Sequence, residues 1–334
     1  MNTYIFLPPL AKMTGGLAVL VQTARHLHAS GFPIRLVIRE TGRPALSSAL
    51  QPLALAWDDL ELGGKDLWLV PEGWINALTP GLKAGARCMV YVQNWAYLFS
   101  SLSKDLSWHD LPVSFLAVSR PVAWFIQQTL GRKCPVLPPG IDRVVFSKPE
   151  SKPLKPLQVA FMPRKNKALA NLIRSIWEAR NPGQVDKGQL AWMEIHGQDQ
   201  SGVARMMQEA HFFLATGFPE GCPLPPLEAM ACGCLPLGFT GFGGWEYMTQ
   251  IRPDAWRPWW TVPENPWGGN GFWAPDADAL AVALALEDAV RLAIHSGPEL
   301  QAALDAGQQT ADAFSLERQR EKIVSLWSHW STGG

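Results

Sequence analysis

The chain has 334 residues, 47% of them hydrophobic and 17% charged, which excludes a disordered polymer and leaves room for two domains of ordinary size. Lys plus Arg and Asp plus Glu number 29 each, so the formal net charge is zero, and nucleic acid is disfavoured as the main partner. The zero conceals an asymmetry, because residues 1–150 carry 14 basic and 10 acidic side chains and residues 151–334 carry 15 and 19, leaving the front half suited to an anionic surface or substrate.

Cys88, Cys134, Cys222, Cys232 and Cys234 form an odd set with no CxxC pair and no matching His spacing. That predicts neither a disulfide framework nor a zinc site, and a reducing cytoplasm fits best. The N-terminal MNTYIFLPPLAK has no basic flank and too short an apolar core for a signal peptide. Two uncharged runs, 88–103 and 229–245, are interrupted by Gln93 and Asn94 or by Gly and Pro. Neither reads as a spanning helix, while peripheral contact with a membrane stays open.

In chain order, the front half alternates short apolar runs with helical patterns, as a parallel sheet with covering helices should. Residues 4–7 read as a first strand. A loop ending in Gly15-Gly16 follows, then a helix with Leu17, Leu20, Val21, Ala24 and Leu27 on one face, closed by Gly31. Residues 34–38, 67–70, 88–92, 115–118 and 134–137 read as strands, and 121–130 as a short helix. The Pro- and Lys-rich stretch SKPESKPLKP (147–156) reads as an exposed linker. Alternation then restarts with a strand at 158–162, a helix at 165–179, a strand at 193–196 and a helix at 201–209. A strand at 212–215, a helix at 225–232 and a strand at 235–238 complete it. Two doubly wound α/β units are predicted, with ligands beyond the carboxyl ends of the strands.

The segment richest in chemistry is HFFLATGFPEGCPLPPLEAMACGCLPLG, residues 211–238. A strand ends near Ala215 and a loop displays Glu220. Pro225 and Pro226 stand where a helix begins, since the missing N–H groups cost least there. Glu228 is placed in the first helical turn. Backbone N–H groups and the helix dipole then make an anion site suited to a diphosphate, and a nearby carboxylate can accept from a ribose diol. In the plainer alternative, Glu228 only satisfies the helix end and Glu220 is solvated.

Glu220 and Glu228 form E-x7-E within EGCPLPPLEAMACG, which closely resembles the signature of retaining, GT-B-fold glycosyltransferases of the family 4 type. Other segments are similar to that family in the right order. They are the Gly15-Gly16 loop, LPPGID (137–142), VAFMPRKNK (159–167) and NGFWAPDADALAVAL (270–284). The resemblance implies two Rossmann-like domains facing a cleft: an acceptor domain at 1–146, a linker at 147–157, a nucleotide-sugar domain at 158–312, and a helix at 313–334 returning to the first domain. It implies that Glu220 orients the donor sugar, that Glu228 holds the ribose, and that Arg164 with Lys165 or Lys167 neutralises the leaving diphosphate. Gly15 and Gly16 would approach the phosphates, Gly197 would lie near the base, and Gly221, Cys222 and Leu224 would line the donor site. No metal or other cofactor is implied. The partners implied are a nucleotide-sugar donor and a glycan or lipid-linked saccharide acceptor, in surface polysaccharide synthesis.

The chain departs from the family pattern at three places. Leu169 stands where a lysine is usual, and Pro223, which has no N–H, stands where a glycine is common. Gln93-Asn94-Trp95 follows the strand after which a histidine is frequent, and Asn94 and Trp95 are candidate acceptor contacts. His26 and His28 read as surface residues, and His196 as a packing residue at a strand end. Five tryptophans (Trp256, Trp259, Trp260, Trp267, Trp273) interleaved with Pro253, Pro258, Pro263 and Pro266 read as an irregular loop, suited to packing, to sugar stacking or to a membrane interface. Gly241, Gly243 and Gly244 are a candidate phosphate cradle without the third glycine of GxGxxG. The alternatives are a degenerate sugar-nucleotide-binding module, and an epimerase or oxidoreductase, which would need a Tyr-x-x-x-Lys pair that the four tyrosines do not supply.

Overall fold

The computed structural model describes residues 1–10, 14–39, 46–252 and 254–332. The chain forms two units, Met1–Gly140 with Glu317–Gly334, and Ile141–Leu316.

The first unit is built on six parallel strands: β1 (Thr3–Leu7), β2 (Ile34–Ile38), β3 (Ala54–Ala56), β4 (Leu67–Pro71), β5 (Arg87–Val92) and β6 (Ser114–Ala117), in the order β3-β2-β1-β4-β5-β6. β1 is central and its Ile5, Phe6 and Leu7 are fully buried, as expected for a strand covered on both faces. Phe6, Trp57 and Trp68 stack edge to face or tilted at 5.6–6.2 Å between centroids. The helix Gly15–Ala29 is capped by Thr14, whose hydroxyl accepts from Leu17 N at 3.3 Å. Gly15 and Gly16 therefore form its first turn instead of ending the loop before it. The helix Leu316–Ser331 docks on this unit through the Trp327 indole, which donates to Thr3 Oγ1 at 2.9 Å, and Gln319, which donates to Pro138 O at 3.2 Å.

The run 134–137 is not a strand. Val136 makes a single bridge to Ala117, because Pro135 and Pro138 remove the donors a ladder needs.

The second unit holds β7 (Leu157–Phe161), β8 (Leu190–Glu194), β9 (Phe212–Ala215), β10 (Leu235–Phe239) and β11 (Phe272–Ala274), all parallel, in the order β11-β10-β9-β7-β8. Along β9 the side chains alternate between two cores. Phe212 and Leu214 join Ile173, Trp177 and Val282, while Phe213 and Ala215 join Met207, Leu227 and Met230. The four-residue apolar run thus serves both faces. Residues 147–156 are mostly exposed, as expected, but do not stand apart as a linker. They belong to this unit, where Lys152 Nζ donates to Met207 O at 3.2 Å and to Ala210 O, and Gln208 donates to Ser147 O at 3.0 Å.

Candidate active site

The carboxyl ends of β7, β9 and β10 lie side by side and bring the predicted acids and bases of the second unit together. After β7, Met162-Pro163-Arg164-Lys165 turns into the helix Lys167–Arg180, with Asn166 at φ 75° at its start. The Lys165 carbonyl accepts from the Thr216 hydroxyl just past β9, and the Lys165 ammonium forms an ion pair with Glu220. This ion pair bears on the lysine ambiguity, because Lys167 Nζ lies 2.9 Å from Glu194 at the end of β8. Leu169, one turn on, packs against the apolar core of this unit.

Glu220 is held by backbone as well as by charge. Its N–H donates to Gly241 O at 2.9 Å, and its carbonyl accepts from Gly243 N at 3.0 Å, a parallel bridge to Phe242. The glycines at 241, 243 and 244 were candidates for a phosphate cradle. Their amides are instead engaged, Gly241 N on Asp276 Oδ1 at 2.9 Å, Gly243 N on Glu220 and Gly244 N on Thr240 O at 2.9 Å. A side chain at Gly243 would run into the carbonyl of Gly221, and one at Gly241 would lie 2.7 Å from Glu220 Cβ. Close backbone packing beneath Glu220 is the reason for glycine here. Phe242 between them sits at φ 71°, a costly conformation for a non-glycine residue, with its ring 5.1 Å from that of Trp260.

Glu228 is the fifth residue of the helix Leu224–Ala231, in the second turn and not the first, because the helix begins at Leu224. It retains limited exposure, yet burial pushes its carboxyl up to about 7, opposed by the nearby Arg164 charge. Among the described residues no side chain or amide hydrogen-bonds this carboxylate. The helix start is poorer in donors than expected: Pro223 is the N-cap and Pro225 and Pro226 follow, so Leu224 is the sole backbone donor between 223 and 226. Positive charge at this edge therefore comes mainly from Arg164 and Lys165. The Pro223 carbonyl accepts from the buried Tyr247 hydroxyl at 2.6 Å. A pocket of about 20 Å³, room for one water-sized group, is lined by Lys165, Thr216, Gly217, Glu220, Pro223 and Pro226 among others. Gly221 is buried behind Glu220, and Cys222 and Leu224 are half-buried beside it. Gly197, at φ 67°, lies three residues past the end of β8, beside His196, which is exposed and not the packing residue expected at the strand end.

The tryptophan-rich segment divides. Trp256 stacks on Trp245 at 5.7 Å, the Trp267 indole donates to Tyr247 O at 2.9 Å, and Trp273 is buried in β11. Trp259 is 91% exposed. Pro253 lies outside the described residues.

In the first unit the candidates gather at the carboxyl ends of β4 and β5. A side chain at Gly16 would strike Gln93 Oε1. Gly15 is exposed and open. Asn94 accepts from Ala96 N at 3.1 Å, and Trp95 stacks on Phe125 at 5.5 Å. Beneath them lies Glu72, which the sequence did not single out. It is 5% exposed and accepts from Gln93 N at 3.0 Å and Asn94 N at 2.7 Å, and burial pushes its carboxyl up to about 7. Its one visible signal was an acid directly after a wholly apolar strand. Gln93 Nε2 is buried with no partner among the described residues.

Two parallel sheets clothed by helices match the GT-B fold of glycosyltransferase structures. The sucrose-phosphate synthase of Thermosynechococcus elongatus aligns with a TM-score of 0.69 and 13% identity over 100% of both chains. Anabaena HepE, solved with UDP-glucose, aligns with a TM-score of 0.65 and 13% identity over 98% of this chain and 100% of its own. By sequence, the chain is 23% identical over 252 residues to an alpha-1,6-glucosyltransferase of Actinobacillus pleuropneumoniae serotype 7, covering 74% of each. No protein-family model matches the chain. Among the described residues no helix is long and apolar enough to cross a membrane.

Proposed function

We propose that the chain is a glycosyltransferase that moves a hexose from a nucleotide-sugar donor to a saccharide hydroxyl. The carrying observation is the convergence of Arg164, Lys165, Glu220 and Glu228 at the carboxyl edge of the second unit's sheet, in a fold shared with glycosyltransferases. The names of the sequence relative and of the UDP-glucose-bound neighbour support the same substrate class.

In this reading Glu228 accepts from the ribose diol, with Gly197 near the base. Arg164 and Lys165 face the diphosphate, and Glu220 turns from Lys165 toward the sugar hydroxyls. The amides of Cys222 and Leu224 are the local backbone donors that the prolines leave. The bond between the anomeric carbon and the diphosphate oxygen breaks with its electron pair going to the diphosphate. The acceptor oxygen bonds to the same face, and its proton passes to the departing phosphate oxygen. The configuration is retained, as in family 4 enzymes, without a protein nucleophile. Arg164 and Lys165 lower the barrier because the charge they face grows as the bond breaks. No metal is invoked. The first unit supplies the acceptor contacts, Asn94 and Trp95 among them. A surface polysaccharide or lipid-linked saccharide, met on the cytoplasmic side, is the acceptor class.

Thermal-shift titration with UDP, GDP, dTDP and ADP, followed by slow hydrolysis of the matching sugar nucleotide, tests the reading. Stabilisation by one diphosphate, with hydrolysis lost in Glu228→Ala, is the expected result. Binding without hydrolysis or transfer would leave only a sugar-nucleotide-binding module, and no binding at all would end the proposal.

A further inference from the structure

The first unit carries a second constellation at the opposite edge of its sheet. β5 begins at Arg87 and β6 at Ser114, and Arg132 and Lys133 follow the helix Arg120–Leu130 directly after its left-handed Gly131. These residues line a cavity of 510 Å³ together with Trp330 of the last helix. Because the sheet is parallel, this edge lies the length of β5, roughly 20 Å, from Gln93 and Asn94. The cavity is separate from every residue given a role above.

Its charge is one-sided. Arg87, Arg132 and Lys133 line it and no acidic side chain does. Among the described residues, none of the three forms an ion pair. Three cations thus line one cavity with no acidic side chain in its wall, and an anion would supply the missing counter-charge.

The two arginines are also held in place. The Arg87 guanidinium lies 5.6 Å from the Trp330 ring centroid. Arg132 lies 5.6 Å from that of Phe115 and donates one Nη1–H to Val113 O at 3.0 Å. These ring contacts restrain both guanidinium groups while leaving most of their N–H groups unspent, and such forks match the tetrahedral oxygens of phosphate. Lys133 is exposed and adds a mobile third charge, and Ser114 adds a hydroxyl. A lone carboxylate would meet only one fork, whereas a phosphate monoester or diphosphate has oxygens for all three cations. The remaining volume is in the range of small-molecule sites and is walled by Trp330 and Phe115.

We propose that this cavity is a binding site for a phosphate-bearing ligand, held by Arg87, Arg132 and Lys133 against Trp330. The headgroup of an anionic lipid and a soluble phosphate compound share this chemistry, and the test separates them.

The protein is labelled with fluorotryptophan, and the Trp330 resonance is assigned by its loss in Trp330→Phe. It is then titrated with inorganic pyrophosphate, and separately with phosphatidylcholine vesicles with and without phosphatidic acid. A saturable Trp330 shift with pyrophosphate assigns a soluble ligand. A shift only with phosphatidic acid vesicles assigns a lipid headgroup. Arg87→Gln should raise the apparent Kd roughly tenfold. Lys133→Gln, whose side chain makes no contact that folding needs, should raise it in the same direction. Arg164→Gln, which alters the other unit, should leave the Trp330 titration unchanged. Absence of a shift with both probes, or the same Kd in wild type and Lys133→Gln, overturns the proposal.

Discussion

Lys165 and Glu220, 55 residues apart in the chain, are ion-paired at the carboxyl edge of the second sheet, and the same lysine takes the Thr216 hydroxyl on its carbonyl. The pair ties the turn after β7 to the loop after β9, so the two groups assigned to diphosphate and sugar hold each other in place. Lys165→Met should lower kcat/KM for transfer by about 10²–10³-fold, in the range seen when a charge-stabilising donor is removed. Combining Lys165→Met with Glu220→Gln should cost little more than the worse single change, because groups that act as a unit are non-additive. Losses that simply multiply, measured by sugar transfer from the donor, would show that the two act apart.

Glu228, in the role proposed for it, would set stability against donor binding. Its carboxyl is raised from an ordinary 4.5 to about 7, so the folded state binds a proton that the unfolded state has released between those values. Stability from this group is therefore complete below about pH 4.5 and falls as pH rises to about 7. Glu228→Gln removes the penalty, worth ~3 kcal/mol, and should melt higher than wild type at pH 8 with little difference at pH 4.5. The same variant should bind the nucleotide diphosphate more weakly. A melting difference that does not change with pH would contradict the assigned cause.

Glu72 looks alike electrostatically and should behave in the opposite way. Both of its oxygens accept backbone N–H groups, from Gln93 and Asn94. A glutamine offers one acceptor and turns an NH2 group toward the other amide. Glu72→Gln should destabilise the protein by about 1–3 kcal/mol at pH 4.5, the cost of a buried unpaired donor, and the deficit should narrow as pH rises toward 7, where the raised carboxyl loses stability of its own. Hydrogen exchange should speed up at Gln93 and Asn94, and protection unchanged at both amides would refute this account.

Gly243 tests the support beneath Glu220. An alanine there must push the Gly221 carbonyl aside, and backbone yields less readily than a side-chain end. Gly243→Ala should cost about 2 kcal/mol and weaken donor binding by displacing Glu220. Gly15→Ala, at an open helical position, should leave the melting temperature equal or higher. Chemical denaturation of the two variants side by side measures the contrast.

Much of this was legible along the chain, for identifiable reasons. β9 is as expected because Phe212–Ala215 fills both cores without a break. β8 was expected at 193–196 and runs over Leu190–Glu194. It is an edge strand, only half-buried, and its register comes from β7 through Phe161 opposite Glu194. β3 went unseen because Ala54–Ala56 is short, small and at the other sheet's edge. The two site acids stood out because they flank three prolines. Glu72 and Asp276 did not, since each serves amides 21 to 35 residues away, a relationship that exists only once the strands are paired.

The indole of Trp327 bonded to Thr3 has a consequence for biosynthesis. The first unit combines residues 1–140 with a helix translated some 180 residues after them. It must wait, incomplete, while the intervening lobe is made and folds. During that interval the apolar bed for Trp327 lies open, a vulnerable surface on the nascent polypeptide that chaperones or proteases would meet first.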